Sequence, residues 1–164
     1  MSQAVLQTVA PVEIYLKPGE FQFGGGNTRM HTVLGSCVAI TLWHPVLLVG
    51  GMCHFMLPSR GGRQSSGLDG RYADEAMQLF MQEIRQRNTR PEEYQAKMFG
   101  GCRMFPQIIG KKASEVGVRN VEAARSLLST NAFRIQSEDA GGSGHRRIIL
   151  DLRDGNVWVR HEKK

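Results

Sequence analysis

Residues 37 to 57 read CVAITLWHPVLLVGGMCHFML, and the fold turns on how this stretch is parsed. From Cys37 to Trp43 the side chains are β-branched and apolar. From Leu47 to Leu57 they are apolar again, and His44, Pro45 and Val46 lie between. Two such runs around a proline-bearing break predict a β-hairpin. If the chain turns around Pro45 and Val46, positions whose numbers sum to 91 face each other, Trp43 with Leu48 and Cys37 with His54. Directly opposed residues share a face with Cβ atoms about 4.5 to 5.5 Å apart, close enough for a sulfur-to-imidazole hydrogen bond. A one-residue bulge at Gly50-Gly51 would take His54 out of that register.

On the C-terminal side, Ser59 to Gly70 (SRGGRQSSGLDG) is a polar, glycine-rich loop, long enough to suggest a functional segment bordering the histidine run. Asp69 is expected to cap a helix whose first turn holds Asp74 and Glu75. Its buried stripe is Ala73, Ala76, Met77, Phe80 and Ile84, at helical spacings of three and four. A strand is expected from Ala96 to Gly100, then a second helix from Val121 to Ser129 capped by Asn120. A short strand follows from Phe133 to Ser137. The final pair, Arg147 to Leu152 and Asn156 to Arg160, is joined at Asp154-Gly155. On the N-terminal side, Gly24, Gly25, Gly26 and Asn27 read as a turn or mobile loop. Strands, helix, strand, helix and strands in that order give an α+β domain with a mixed, largely antiparallel sheet and two main helices.

Bulk properties set limits around this plan. The 164 residues are 41% hydrophobic and 22% charged, the composition of an ordinary globular domain rather than a disordered, collagen-like or coiled-coil chain. Residues 1–12 read as a flexible leader, 13–161 as one domain and 162–164 as a solvated tail. The longest apolar stretch, Pro45 to Pro58, is interrupted by Gly50, Gly51 and His54 and falls short of the roughly 18 residues of a membrane span, so no membrane insertion is expected. Met1 to Val12 lacks the features of an export signal, which implies a cytoplasmic protein with reduced thiols. The net charge of +6 points to an acidic partner surface or loose nucleic-acid affinity. No run of five or more Lys or Arg and no zinc-finger or RNA-binding signature accompanies it, so specific nucleic-acid binding is not expected.

Three cysteines, Cys37, Cys53 and Cys102, cannot all pair within one chain. Each is either a packed residue or a reactive thiol. Only Cys37 sits in a setting that suggests chemistry. Gly35 and Ser36 before it predict a tight turn that leaves the backbone amides of Ser36 or Cys37 free to hold an oxyanion. A histidine beside the thiol can accept its proton and leave a nucleophilic thiolate. Cys53 neighbours His54 and therefore points to the other face of the strand, into the core; Cys102, after Gly100-Gly101, reads as core too, near the site. Zinc is not expected, since no CxxC pair exists and adjacent strand residues face apart. His31, His44, His145 and His161 carry no supporting pattern beyond the proximity of His31 to Thr32.

The stretch HTVLGSCVAITLWHPVLLVGGMCHFMLP, with its LGSCV centre and HFMLP close, resembles the CheD family of chemoreceptor glutamine deamidases. RYADEAM (71–77), KMFGG (97–101), VRNVEAAR (118–125), EDAGG (138–142) and DGNVWV (154–159) follow in the family's order, so the resemblance covers the chain from about Leu16 to Arg160. It implies a layered α/β/β core and an enzyme that hydrolyses particular glutamine side chains on the cytoplasmic helical bundle of chemoreceptors. Carried over by position, it makes Cys37 the nucleophile, His54 the base and Thr32 the hydroxyl that orients the histidine. No metal or organic cofactor is implied. A methyl ester at the same position would present a similar carbonyl, which suggests methylesterase activity as a second reaction. Some members bind a CheC-type chemotaxis phosphatase. The alternative is a noncatalytic interaction protein that binds such a phosphatase or a receptor.

Overall fold

The computed structural model describes residues 9–62 and 66–163. Along the chain run β1 (Val12–Tyr15), β2 (Phe21–Gly25), β3 (Thr28–Leu34), β4 (Val38–His44), β5 (Val49–Phe55), α1 (Ala73–Gln86) and β6 (Gln95–Gly100). After two short helices, α2 (Pro106–Ile109) and α3 (Lys111–Ser114), come α4 (Val116–Thr130), β7 (Ile135–Ala140), β8 (His145–Asp151) and β9 (Val157–Glu162). The strands form a five-stranded sheet, β2-β5-β4-β6-β7, and a four-stranded sheet, β1-β3-β8-β9. Only the β1–β3 and β6–β7 pairs are parallel among these ladders. The fold is thus α+β with mixed, largely antiparallel sheets.

Three layers result because β4 and β5 are apolar on both faces. Val38, Ile40, Leu42, Cys53 and Phe55 point toward α1 and α4, where they meet Phe80, Ile84, Ala124 and Leu128. Ala39, Trp43 and Met52 point the other way and meet Met30, Leu34, Ile148 and Leu150 of the four-stranded sheet. A strand covered on both sides reads as continuous apolar sequence rather than as an alternation, which is the character of Cys37 to Trp43.

The hairpin forms, with a longer turn than the sequence suggests. Pro45 to Leu48 make the turn, and the ladder pairs Trp43 with Gly50 and Ala39 with His54 without a bulge. Paired numbers therefore sum to 93 rather than 91. The cause is local: His44 Nδ1 accepts hydrogen bonds from the amides of Val46 (3.2 Å) and Leu47 (3.1 Å) and so props the wider turn. A two-residue slip preserves the faces, because side-chain direction repeats every two residues.

Other expectations shift in similar ways. The α1 stripe is buried as read, but Tyr72 rather than Asp69 stands at its N-cap, and Asp69 is engaged by Arg71 instead. Asn120 does not cap the second helix. The helix begins at Val116 and holds Asn120 in its interior, fully buried. β1, β2 and β3 were not individually legible, and Gly24 and Gly25 belong to the end of β2. The β8–β9 ladder closes at Leu150 with Val157, so Asp154-Gly155 lies within a longer link. Residues 1–8, 63–65 and 164, parts of the expected leader, loop and tail, lie outside the described residues.

Candidate active site

His54 projects from β5 between the two sheets. Its backbone is fixed by the edge segment before β2: its N–H donates to Glu20 O (3.1 Å), and its carbonyl accepts from Gly19 N–H (2.8 Å). From the facing sheet, Thr32 Oγ1 lies 2.6 Å from His54 Nδ1 and donates to the carbonyl of Leu16 at 2.9 Å. A hydroxyl has one proton, and a carbonyl can only accept, so the Thr32 proton is committed to Leu16. His54 Nδ1–H is then the donor to Thr32, and Nε2 is left with a free lone pair. That atom is buried and has no hydrogen-bond partner among the described residues. Burial also lowers the histidine's pKa from 6.5 to about 4, so the ring is neutral at physiological pH.

Cys37 lies one residue before β4. Its carbonyl accepts from Gly101 N–H at 2.9 Å, which continues the β4–β6 ladder past Val38 and Gly100. Because Ala39 pairs with His54, Cys37 stands two positions along from that partner, on the same face and diagonal to the histidine. Diagonal neighbours in an antiparallel pair lie about 7 to 8 Å apart, within reach of longer side chains. Cys37 packs at the edge of the inter-sheet core, partly exposed. Burial raises its thiol pKa, so the resting pair is a neutral thiol and a neutral imidazole, with Nε2 unbonded.

The turn carrying the cysteine is held by its carbonyls. Gly35 O accepts from Cys102 N–H (2.9 Å), Ser36 O from Asn120 Nδ2 (3.0 Å) and Cys37 O from Gly101 N–H. No hydrogen bond donated by the amides of Ser36 or Cys37 is found among the described residues. The adjacent loop closes in through glycine: a Cβ on Gly117 would stand 2.3 Å from Cys102 O and 2.6 Å from Gly101 O, so α4 seats only a hydrogen there. A cavity of about 640 Å³, lined by Arg103, Met104, Phe105 and His145 among others, opens beside the turn. Met104 forms the link, its Sδ standing 3.4 Å from where a Cβ on Gly35 would be.

Of the remaining candidates, Cys102 touches this arrangement through its backbone N–H on Gly35 O, and the others make their contacts elsewhere. Cys53 and Cys102 are fully buried, and burial pushes Cys53 to about 12. His31 stacks on Tyr15 and bonds Glu13, and His44 serves the hairpin turn. His145 pairs with Glu162, and His161 with the Ser143 carbonyl. Two contributors escaped the sequence reading, the Leu16 carbonyl and Asn120. The first has no residue-type signal. The second had one: Gly117, Asn120, Val121, Ala124 and Leu128 form a buried helical stripe, and a polar residue on such a stripe needs a partner.

Residues 56–161 match the family model for CheD chemotactic sensory transduction. The chain is 52% identical over 155 residues to a protein of Pseudomonas syringae pv. syringae (strain B728a) named "Probable chemoreceptor glutamine deamidase CheD", across 94% of this chain and 87% of that one. It is 49% identical over 147 residues to "Probable chemoreceptor glutamine deamidase CheD 3" of Dechloromonas aromatica (strain RCB), across 90% and 86% of the two chains. The crystal structure of the Bacillus licheniformis hypothetical protein YfiH aligns at a TM-score of 0.48 and 16% identity, over 73% of this chain and 49% of that one.

Proposed function

The chain belongs to the CheD family, and from that membership we propose that it is a protein-glutamine glutaminase that converts glutamine side chains of chemoreceptors to glutamate, with Cys37 as nucleophile and His54 as base. The observation that carries the residue assignment is the Thr32–His54 hydrogen bond, which leaves a bare Nε2 on the face that Cys37 shares.

The reaction begins when a glutamine carboxamide enters beside Cys37. His54 Nε2 takes the thiol proton as Sγ bonds to the amide carbon, so charge separation develops only as the bond forms. The free N–H groups of Ser36 and Cys37 hold the resulting oxyanion. Collapse breaks the C–N bond, and the Nε2 proton passes to the leaving nitrogen, which departs as ammonia. A thioester remains. His54 then removes a proton from water, the hydroxide adds to the thioester carbon, and the thiolate leaves and is reprotonated. The sum is amide plus water giving carboxylate and ammonium, the last proton passing to the released ammonia. A methyl ester would follow the same course with methanol leaving, which makes methylesterase activity part of the proposal. The substrate surface is the cytoplasmic helical bundle of the receptor, and a CheC-type phosphatase is a second partner. The proposed site of action is the cytoplasm; no helix among the described residues is long and apolar enough to cross a membrane.

The test is intact-mass analysis of a receptor fragment after incubation with purified protein, each deamidation adding about one dalton. Cys37→Ala and His54→Ala are expected to abolish the conversion. Thr32→Val, which frees Nδ1 and removes the tautomer's anchor, is expected to slow it by about 10- to 100-fold. Wild-type rates in the Cys37 and His54 variants would exclude this chemistry. Binding of the fragment without any mass change would point instead to an interaction protein.

A further inference from the structure

We propose that Asn120 is a positioning residue that aims the Cys37 amide at the reacting carbonyl oxygen. This inference rests on the cysteine-based reading above. The carboxamide of Asn120 is fully buried in the interior of α4, and its Nδ2 donates to two carbonyls, Ser36 O at 3.0 Å and Met56 O at 2.9 Å. Both neighbours are acceptors, so the amide nitrogen must face them, and the side chain's orientation is fixed by chemistry. One acceptor precedes the nucleophile directly. The other lies two residues beyond His54. A single side chain therefore ties together the two backbone segments that carry the reacting groups.

The decisive link is the peptide unit between Ser36 and Cys37. It is trans, as are all the described peptide bonds. In a trans peptide the carbonyl and the following N–H lie in one plane and point in opposite directions. Holding Ser36 O toward α4 thus fixes Cys37 N–H on the opposite edge of that plane, where it has no acceptor in the described structure. An oxyanion donor works by being aimed before charge develops. The carbonyls of Gly35 and Cys37 are held by backbone amides, so among the described residues the plane between them depends on Asn120 alone for its third restraint. Asn120 Oδ1 is buried without a partner among the described residues, an unfavourable state that an apolar side chain would avoid. What the carboxamide supplies in return is two donors.

The test separates oxyanion alignment from thiol activation. Asn120→Ser keeps a small donor and Asn120→Asp keeps the shape; both are assayed for receptor deamidation and for Cys37 modification by methyl methanethiosulfonate. That reagent has no carbonyl, so its reaction reads the thiol and His54 without developing an oxyanion. In whichever variant retains the wild-type circular dichroism and a cooperative melt, kcat is expected to fall about 10- to 100-fold, with KM within about threefold. Cys37 modification should stay within about twofold of wild type. An unchanged kcat overturns the proposal. So does a loss of thiol reactivity parallel to the loss of kcat, which would make Asn120 a support for the Cys–His pair, and so does failure of both variants to fold. Cys37→Ala is run alongside: if it deamidates at the wild-type rate, the cysteine-based reading itself fails. If it is inactive while the Asn120 variants are normal, only the present inference does.

Discussion

His54 is the residue at which folding and chemistry make opposed demands. The residue is 1% exposed, and burial lowers its pKa from 6.5 to about 4, so the proposed base is neutral across the physiological range. The same burial makes the folded protein a poorer proton acceptor than the unfolded chain. Between those two pH values the unfolded state binds more protons, so the contribution of this group to stability is complete above pH 6.5 and is lost as the pH falls toward 4. The loss amounts to about 2 to 3 kcal/mol. Urea denaturation at pH 6.5 and pH 4 should show it in the wild type, and His54→Gln should remove that component. For activity, the acid limb of kcat/KM is expected near pH 4 rather than near 6.5. Because the Cys37 pKa is raised by burial, the plateau should extend through neutrality to the alkaline side.

The β4–β5 hairpin positions the pair, and its glycines permit the spacing. A Cβ on Gly50 would stand 2.1 Å from the carbonyl oxygen of Leu42 and 2.9 Å from the Cα of Trp43. These are backbone atoms, so the strands must part to admit it. Gly50→Ala is expected to destabilise the protein by about 1 to 3 kcal/mol in urea denaturation and to reduce deamidation in proportion to the loss of register. Much of this element was legible in the sequence. Apolar runs on both sides of Pro45 gave the two strands, and the even period of strand side chains put Cys37 and His54 on one face even though the assumed turn was two residues too short. The exact pairing was not legible, since it depends on the His44 ring capping the turn amides, and a histidine's preference for that role leaves no periodic trace. Asn120 was misassigned for a related reason: asparagine favours helix caps, and only the facing carbonyls of Ser36 and Met56 reveal the partners that let it stay inside. The three strands before β4 were hidden because β1 and β2 are only four and five residues long, β2 ends in two glycines, and β3 mixes Arg29, His31 and two threonines with its apolar residues.

For the molecule as a whole, the net charge of +6 bears on encounter rather than on chemistry. Attraction to an acidic receptor segment should raise the association rate and weaken with salt. Raising ionic strength from about 0.05 to 0.5 M is expected to lower kcat/KM for a receptor fragment about 3- to 10-fold, with kcat within about twofold. A salt-independent kcat/KM would assign recognition to uncharged contacts. The layering has a different outcome. β4 is hydrogen-bonded to strands on both sides and covered by helices on one face and by a second sheet on the other, and all seven of its residues are buried. Its amide hydrogens can meet water only when the whole domain comes apart. Cys37, the proposed nucleophile, is thus mounted at the tip of a deeply anchored strand, so thermal breathing of the outer loops changes access to the thiol while the foundation beneath it stays still.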